Sequence, residues 1–141
     1  MTRTHVSTLA LGLALLALAG CVRGAMAQQA APPGGEYKKV STLAALPDFI
    51  PGLGTLYVDP RTLPVGPFLA YDKQGQLVSS VYMIPLKDID AHKAFNDVAI
   101  AKEKVDHVDM YYNAGHPGVA EPHYHVVVWY VSPEKAAALK Q

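Results

Sequence analysis

The chain has 141 residues, half of them hydrophobic, with 12 Lys and Arg set against 12 Asp and Glu. That length allows one domain at most, and the balanced charge offers no basic surplus for nucleic acid. Cys21 is the only cysteine, so an intrachain disulfide framework is excluded.

Residues 1–20 read as a leader. A basic start with Arg3 precedes an apolar run from Val6 to Ala19, too short for a stable membrane span. The run ends at Leu18-Ala19-Gly20-Cys21, the pattern of a bacterial lipoprotein signal peptide. Cleavage there leaves Cys21 as a lipidated first residue. The competing reading is ordinary secretion, cleaved after Ala25-Met26-Ala27. Both forms are exported. The lipidated form stays in the cell envelope, bound to a membrane through Cys21. Residues 21–35 are small, polar and rich in Pro and Gly, and read as a flexible tether. Residues 36–141 are the expected domain.

Within that domain Thr55 to Asp59 reads as a strand. Pro67 to Tyr71 and Gln76 to Ile84 form a hairpin around the turn Asp72-Lys73-Gln74-Gly75. Asp88 to Ala99 is the best helix candidate, because Ile89, Phe95 and Val98 recur at helical spacing. His92 lies near that stripe and reads as a half-buried helix residue. Val105 to Tyr112 and His123 to Val131 read as two further strands. Ser132, Pro133 and Glu134 open a short terminal helix. The fold class expected is α+β: a β-rich single domain, one antiparallel sheet with one or two short helices.

The stretch from Val105 to Val131 holds four of the six histidines and the only tryptophan. His123 and His125 share one face of a strand that is apolar on both faces, as a central strand is. Two imidazoles there are costly unless their nitrogens are satisfied, and one metal ion satisfies both. His116 sits in Gly115-His116-Pro117-Gly118, a loop able to fold back over the strands. His107 joins the same face only if the two strands pair odd with odd positions. The expected metal ligands are therefore His107, His116, His123 and His125. The last three are also the expected catalytic residues. Neutral imidazoles suit copper or zinc. Asp106, Asp109 and Glu121 are the expected acceptors for the outer imidazole N–H groups. Tyr111, Tyr112, Tyr124 and Trp129 are expected in the core, and Lys102 and Lys104 are candidates for attracting an anion.

The segments I-P-G-L-G-T-L-Y-V-D-P, Y-M-I-P-L-K-D, H-V-D-M-Y-Y-N-A-G-H-P-G and E-P-H-Y-H resemble a family of small exported bacterial proteins. Its specific marks are the paired G-H-P-G and P-H-Y-H motifs, and the resemblance runs from about residue 47 to residue 133. With its lipoprotein signal, the whole sequence is similar to the copper-only superoxide dismutase lipoproteins of the Deinococcus S-layer complex. The resemblance implies copper with zinc the alternative, superoxide as substrate, a place at the outer membrane or S-layer, partners among S-layer or other envelope proteins, and a homo-oligomer built as a ring. It does not say which histidines are ligands. Copper–zinc dismutases differ, being sandwiches with a disulfide and a bridging histidine. Two other readings stand beside the enzyme: a non-catalytic copper or zinc binding protein, and a structural envelope lipoprotein. A zinc hydrolase would use the same donors, but nothing in the chain marks a substrate pocket for one.

Overall fold

The structure is a computed structural model, and it describes residues 30–141. The leader, Cys21 and most of the expected tether lie outside the described residues. Six strands run in chain order: β1 (Lys38–Lys39), β2 (Thr55–Val58), β3 (Phe68–Tyr71), β4 (Leu77–Pro85), β5 (His107–Asn113) and β6 (His123–Trp129). They form one antiparallel sheet in the order β1-β2-β3-β4-β6-β5. Two short helices complete it, α1 (Leu86–Asp90) and α2 (Pro133–Ala138). None of the described helices is long and apolar enough to cross a membrane.

The β-rich, antiparallel expectation holds. The α+β description fits loosely, because helices of five and six residues make no layer of their own. The expected helix over residues 88–99 is replaced by α1 and an irregular run. His92 and Asp97 both have φ near 54°, which breaks a right-handed helix. The stripe that suggested a helix has little to pack on: Ile89 and Val98 are exposed. His92 is exposed as well, not half-buried.

The β3–β4 hairpin follows its turn chemistry. The Asp72 carboxylate accepts from the backbone N–H of Gln74 and Gln76, and Gly75 takes φ 74°. Residues 30–33 lie against that turn. Ala31 N–H donates to the Gly75 carbonyl at 3.0 Å, and Pro33 is buried. Packing against the domain therefore already includes residues 30–33, ahead of the expected Glu36.

Register assigns each face of the sheet. Val58 pairs with Phe68, Phe68 with Val81, and Val81 with Val127. These residues belong to one apolar cluster with Leu56, Met83 and Trp129. Residues 40–53 and helix α2 close over it, adding Val40, Leu46, Ile50, Leu53, Ala136 and Leu139. Leu69, Tyr71, Leu77 and Tyr130 form a smaller cluster, with Ala31, Tyr37, Tyr57 and Ala101 packed against it. The histidine face is the first of these, the side with the larger core.

One glycine is demanded by the cover. Gly54 has φ 108°, and a Cβ there would run into the Tyr71 carbonyl oxygen. Gly54→Ala is expected to destabilise the domain by about 2 kcal/mol or more, through strain plus backbone displacement. Urea unfolding of both proteins under matched conditions measures it.

Candidate metal centre

Strand β6 lies between β4 and β5 and carries His123 and His125 on its buried face. His123 is 0% and His125 5% exposed. His116 is brought to them by the β5–β6 connection. The Asn113 side-chain oxygen accepts from Gly115 N–H at 2.9 Å and starts the turn. His116 and Val119 then exchange backbone hydrogen bonds of 2.8 and 2.9 Å across Pro117 and Gly118. Gly115 has φ 124°, and a Cβ on it would stand 2.6 Å from the Ala120 carbonyl oxygen. Gly118 has φ 88°, and its Cβ would lie 2.9 Å from Cβ of Ala44. Only glycine suits either place, and the two bracket His116.

The three rings converge. Their centroids are 4.9 Å apart for His123 and His125, 5.0 Å for His116 and His123, and 5.6 Å for His116 and His125. One ligand nitrogen from each lies within 4.8 Å of the others, and this group could hold a metal ion. Nε2 of His123 is 3.0 Å from Nε2 of His125.

The outer nitrogens decide what the inner ones can do. Nδ1 of His123 lies 2.6 Å from the Glu121 carbonyl oxygen, and Nδ1 of His116 lies 3.0 Å from the Pro117 carbonyl oxygen. A carbonyl oxygen only accepts, so both Nδ1 atoms carry hydrogen. The lone pairs of His116 and His123 are left on Nε2. Nδ1 of His125 lies 3.1 Å from the Tyr111 hydroxyl, which can accept or donate. The donor set therefore fits a cation that neutral imidazole binds. Without a cation, two lone pairs 3.0 Å apart would repel unless His125 carried its hydrogen on Nε2.

Burial is the larger cause, and nearby His123 and His116 the lesser, that together push His125 down to about 4. It stays neutral, and so competent as a ligand, well below pH 6.

Strands β5 and β6 pair odd with odd: His107 with Trp129, Asp109 with Val127, Tyr111 with His125, Asn113 with His123. His107 is therefore on the correct face but at the wrong end. It lies four residues along β5 from Tyr111, roughly 13 Å at strand spacing. It stacks on Trp129, centroids 5.9 Å apart, and its Nδ1 meets the Asp106 carboxylate at 2.8 Å. The four-histidine set is thus corrected to three: His116, His123 and His125.

The expected carboxylate partners are corrected too. Asp106 serves His107, and Asp109 accepts from the Trp129 indole N–H at 2.8 Å. Glu121 contributes its backbone carbonyl, while its carboxylate pairs with Lys87 at 2.6 Å. Tyr111 and Tyr112 are not core residues, at 40% and 53% exposed. Tyr111, expected in the core, is instead the residue whose hydroxyl meets His125. Its signal was its odd position on β5, which matters only once the register is known. Met83 was missed likewise. It pairs with His125 from β4, which puts its side chain on the same face of the sheet. Lys102 and Lys104 precede His107 and so lie beyond the end of β5 remote from the three histidines.

Fold and site together define a small antiparallel β-domain with a three-histidine centre on its core face. No protein-family model matches the chain, and no curated protein is similar to it. Among solved structures it is similar to a hypothetical protein, TTHB210, from Thermus thermophilus, with 50% identity and a TM-score of 0.60. That match covers 68% of this chain and 89% of the other. The chain belongs to the family of that Thermus protein.

His123→Ala and His125→Ala are each expected to abolish stoichiometric metal binding, while His107→Ala leaves one metal per chain by elemental analysis. Metal retained by the double variant would refute the ligand assignment. Acid should weaken the metal-free domain. Unfolded His125 takes a proton near pH 6.5, but folded His125 only near pH 4. Its contribution is fully present above pH 6.5 and is lost as pH falls toward 4, by at most about 3 kcal/mol. Urea unfolding at about pH 7 and about pH 4.5 should show this loss, reduced in His125→Gln.

Proposed function

We propose that the protein is an exported copper protein with superoxide dismutase activity, held in the cell envelope as a subunit of a surface-layer assembly. The observation that carries the reading is the convergence of His116, His123 and His125, with the outer nitrogens of His116 and His123 held by carbonyl oxygens. Three ligands leave a coordination position open, and imidazole serves both cuprous and cupric copper. Met83, paired with His125 across β4 and β6, adds a soft side chain to the same face, which suits the cuprous state.

Bound copper would supply the one-electron exchange that converts two superoxide ions and two protons to dioxygen and hydrogen peroxide. The chain's part is to hold the imidazoles, admit a small anion and handle protons. His123 and His125 are buried, so approach is from the side of His116, which is partly exposed. The Tyr111 hydroxyl, against His125 Nδ1, is a proton donor and acceptor at the wall of the site. Lys87, two residues beyond the Pro85 that pairs with His123, is itself paired with Glu121.

Envelope location rests on the lipoprotein pattern ending at Cys21. Self-association is favoured by β5, an edge strand on which Val108, Met110 and Tyr112 are 55%, 62% and 53% exposed. An apolar edge of this kind invites pairing with another chain. A second reading, a metal clip or store without catalysis, is favoured by the burial of two of the three ligands.

The copper-loaded protein is expected to accelerate superoxide decay well above an equal concentration of free copper, with the zinc-loaded protein inactive. The His123→Ala, His125→Ala double variant should fall to the free-copper rate. A loaded protein no faster than free copper would leave the storage or structural reading.

A further inference from the structure

The three imidazoles do not have the same kind of partner at their outer nitrogens. His116 and His123 present Nδ1 to carbonyl oxygens, which fixes hydrogen on Nδ1 and the lone pair on Nε2 whatever the centre holds. His125 presents Nδ1 to the Tyr111 hydroxyl, which stands opposite it on β5. A hydroxyl can give a hydrogen or take one, so this partner leaves both neutral forms of the ring open.

Inside the site the fixed lone pair of His123 decides between them. Its Nε2 lies 3.0 Å from Nε2 of His125, so in the metal-free protein His125 donates there and carries its hydrogen on Nε2. Nδ1 of His125 is then bare and accepts from Tyr111. The outcome is a relay of three hydrogen bonds pointing one way: Tyr111 hydroxyl to His125, His125 to His123, His123 to the Glu121 carbonyl. Bonds in such a chain reinforce one another where water is excluded, and both imidazoles are buried. Ligation needs the other form of His125. Its Nε2 faces His123, so the hydrogen there has to leave and Nδ1 has to gain one.

We propose that Tyr111 is the positioning residue that lets His125 serve both states, donating to Nδ1 in the metal-free protein and accepting from Nδ1 in the metal-loaded one. The proposal rests on the reading of the three histidines as a metal centre. One hydrogen leaves Nε2 for solvent and one passes from the hydroxyl to Nδ1. Solvent restores the hydroxyl, so the ring loses one hydrogen, gains one and ends neutral. Tyr111 is suited to this exchange because it stands on the edge strand and is partly exposed, whereas the carbonyl partners of His116 and His123 only accept.

Nitrogen-15 NMR of the histidine rings in the full chain reads the exchange directly, because a ring nitrogen with hydrogen and one without resonate far apart. Spectra are taken at about pH 8, above the ordinary histidine range, before and after one equivalent of zinc. The His125 signals are identified by their loss in His125→Gln. The metal-free protein is expected to carry the His125 hydrogen on Nε2, and the zinc-loaded protein on Nδ1. His123 should carry its hydrogen on Nδ1 in both. Tyr111→Phe is expected to stay folded by circular dichroism and to bind zinc about 10- to 100-fold more weakly in competition with a chelating dye. That is the usual cost of removing the partner behind a metal-bound imidazole. Tyr112→Phe, on the opposite face beside Tyr124, should leave zinc affinity unchanged. Hydrogen on Nδ1 of His125 in the metal-free protein would overturn the exchange and leave the metal centre standing. So would a zinc affinity unchanged in Tyr111→Phe. Failure of zinc to bind the unaltered protein would overturn the metal centre itself, and the exchange with it.

Discussion

Everything at the metal centre depends on one pairing, the antiparallel register of β5 with β6. Tyr111 faces His125 across it and Asn113 faces His123. Asn113 is also the residue whose side chain starts the turn that returns His116 to the same face. A slip of one residue would turn Tyr111 and Asn113 to the opposite face. The His116 loop would then start from the wrong side of the sheet. The register is held by burial, since Val127 and Trp129 are packed in the core on the face that the histidines share.

Much of this was legible in the residues. The apolar run through His123 to Val131 read as a central strand, and the two-residue period of a strand put both imidazoles on one face. Gly115 and Gly118 around His116-Pro117 announced a tight turn. The β3–β4 hairpin was readable from Asp72 to Gly75, where one carboxylate organises two backbone donors. What was not legible was relational. His107 has the right face and the wrong distance, and only the pairing partner Trp129 reveals that. Asp106, Asp109 and Glu121 were credited with the outer imidazole bonds because carboxylates are visible in a sequence. The groups that accept from His116 and His123 are backbone carbonyls, which every residue possesses. The helix over residues 88–99 failed for another reason: three apolar residues at helical spacing do not make a helix unless a surface awaits them.

The two faces of the sheet serve different ends. The face with Tyr71 and Leu77 is closed by the chain's own segment at residues 30–37. The histidine face is covered by residues 40–53 and α2, which bury Val81, Met83, Val127 and Trp129 beside His123 and His125. The relationship to the Thermus protein supplies kinship and a fold, and the chemistry has to be argued from the side chains.

The close approach of Gly118 and Ala44 ties the cover of the larger core to the loop that carries His116. Their approach leaves room for one methyl group, which Ala44 occupies. A side chain added at Gly118 meets that methyl group, so it must displace either the cover or the loop. The two positions are therefore coupled, and the cover of the core constrains where His116 can stand.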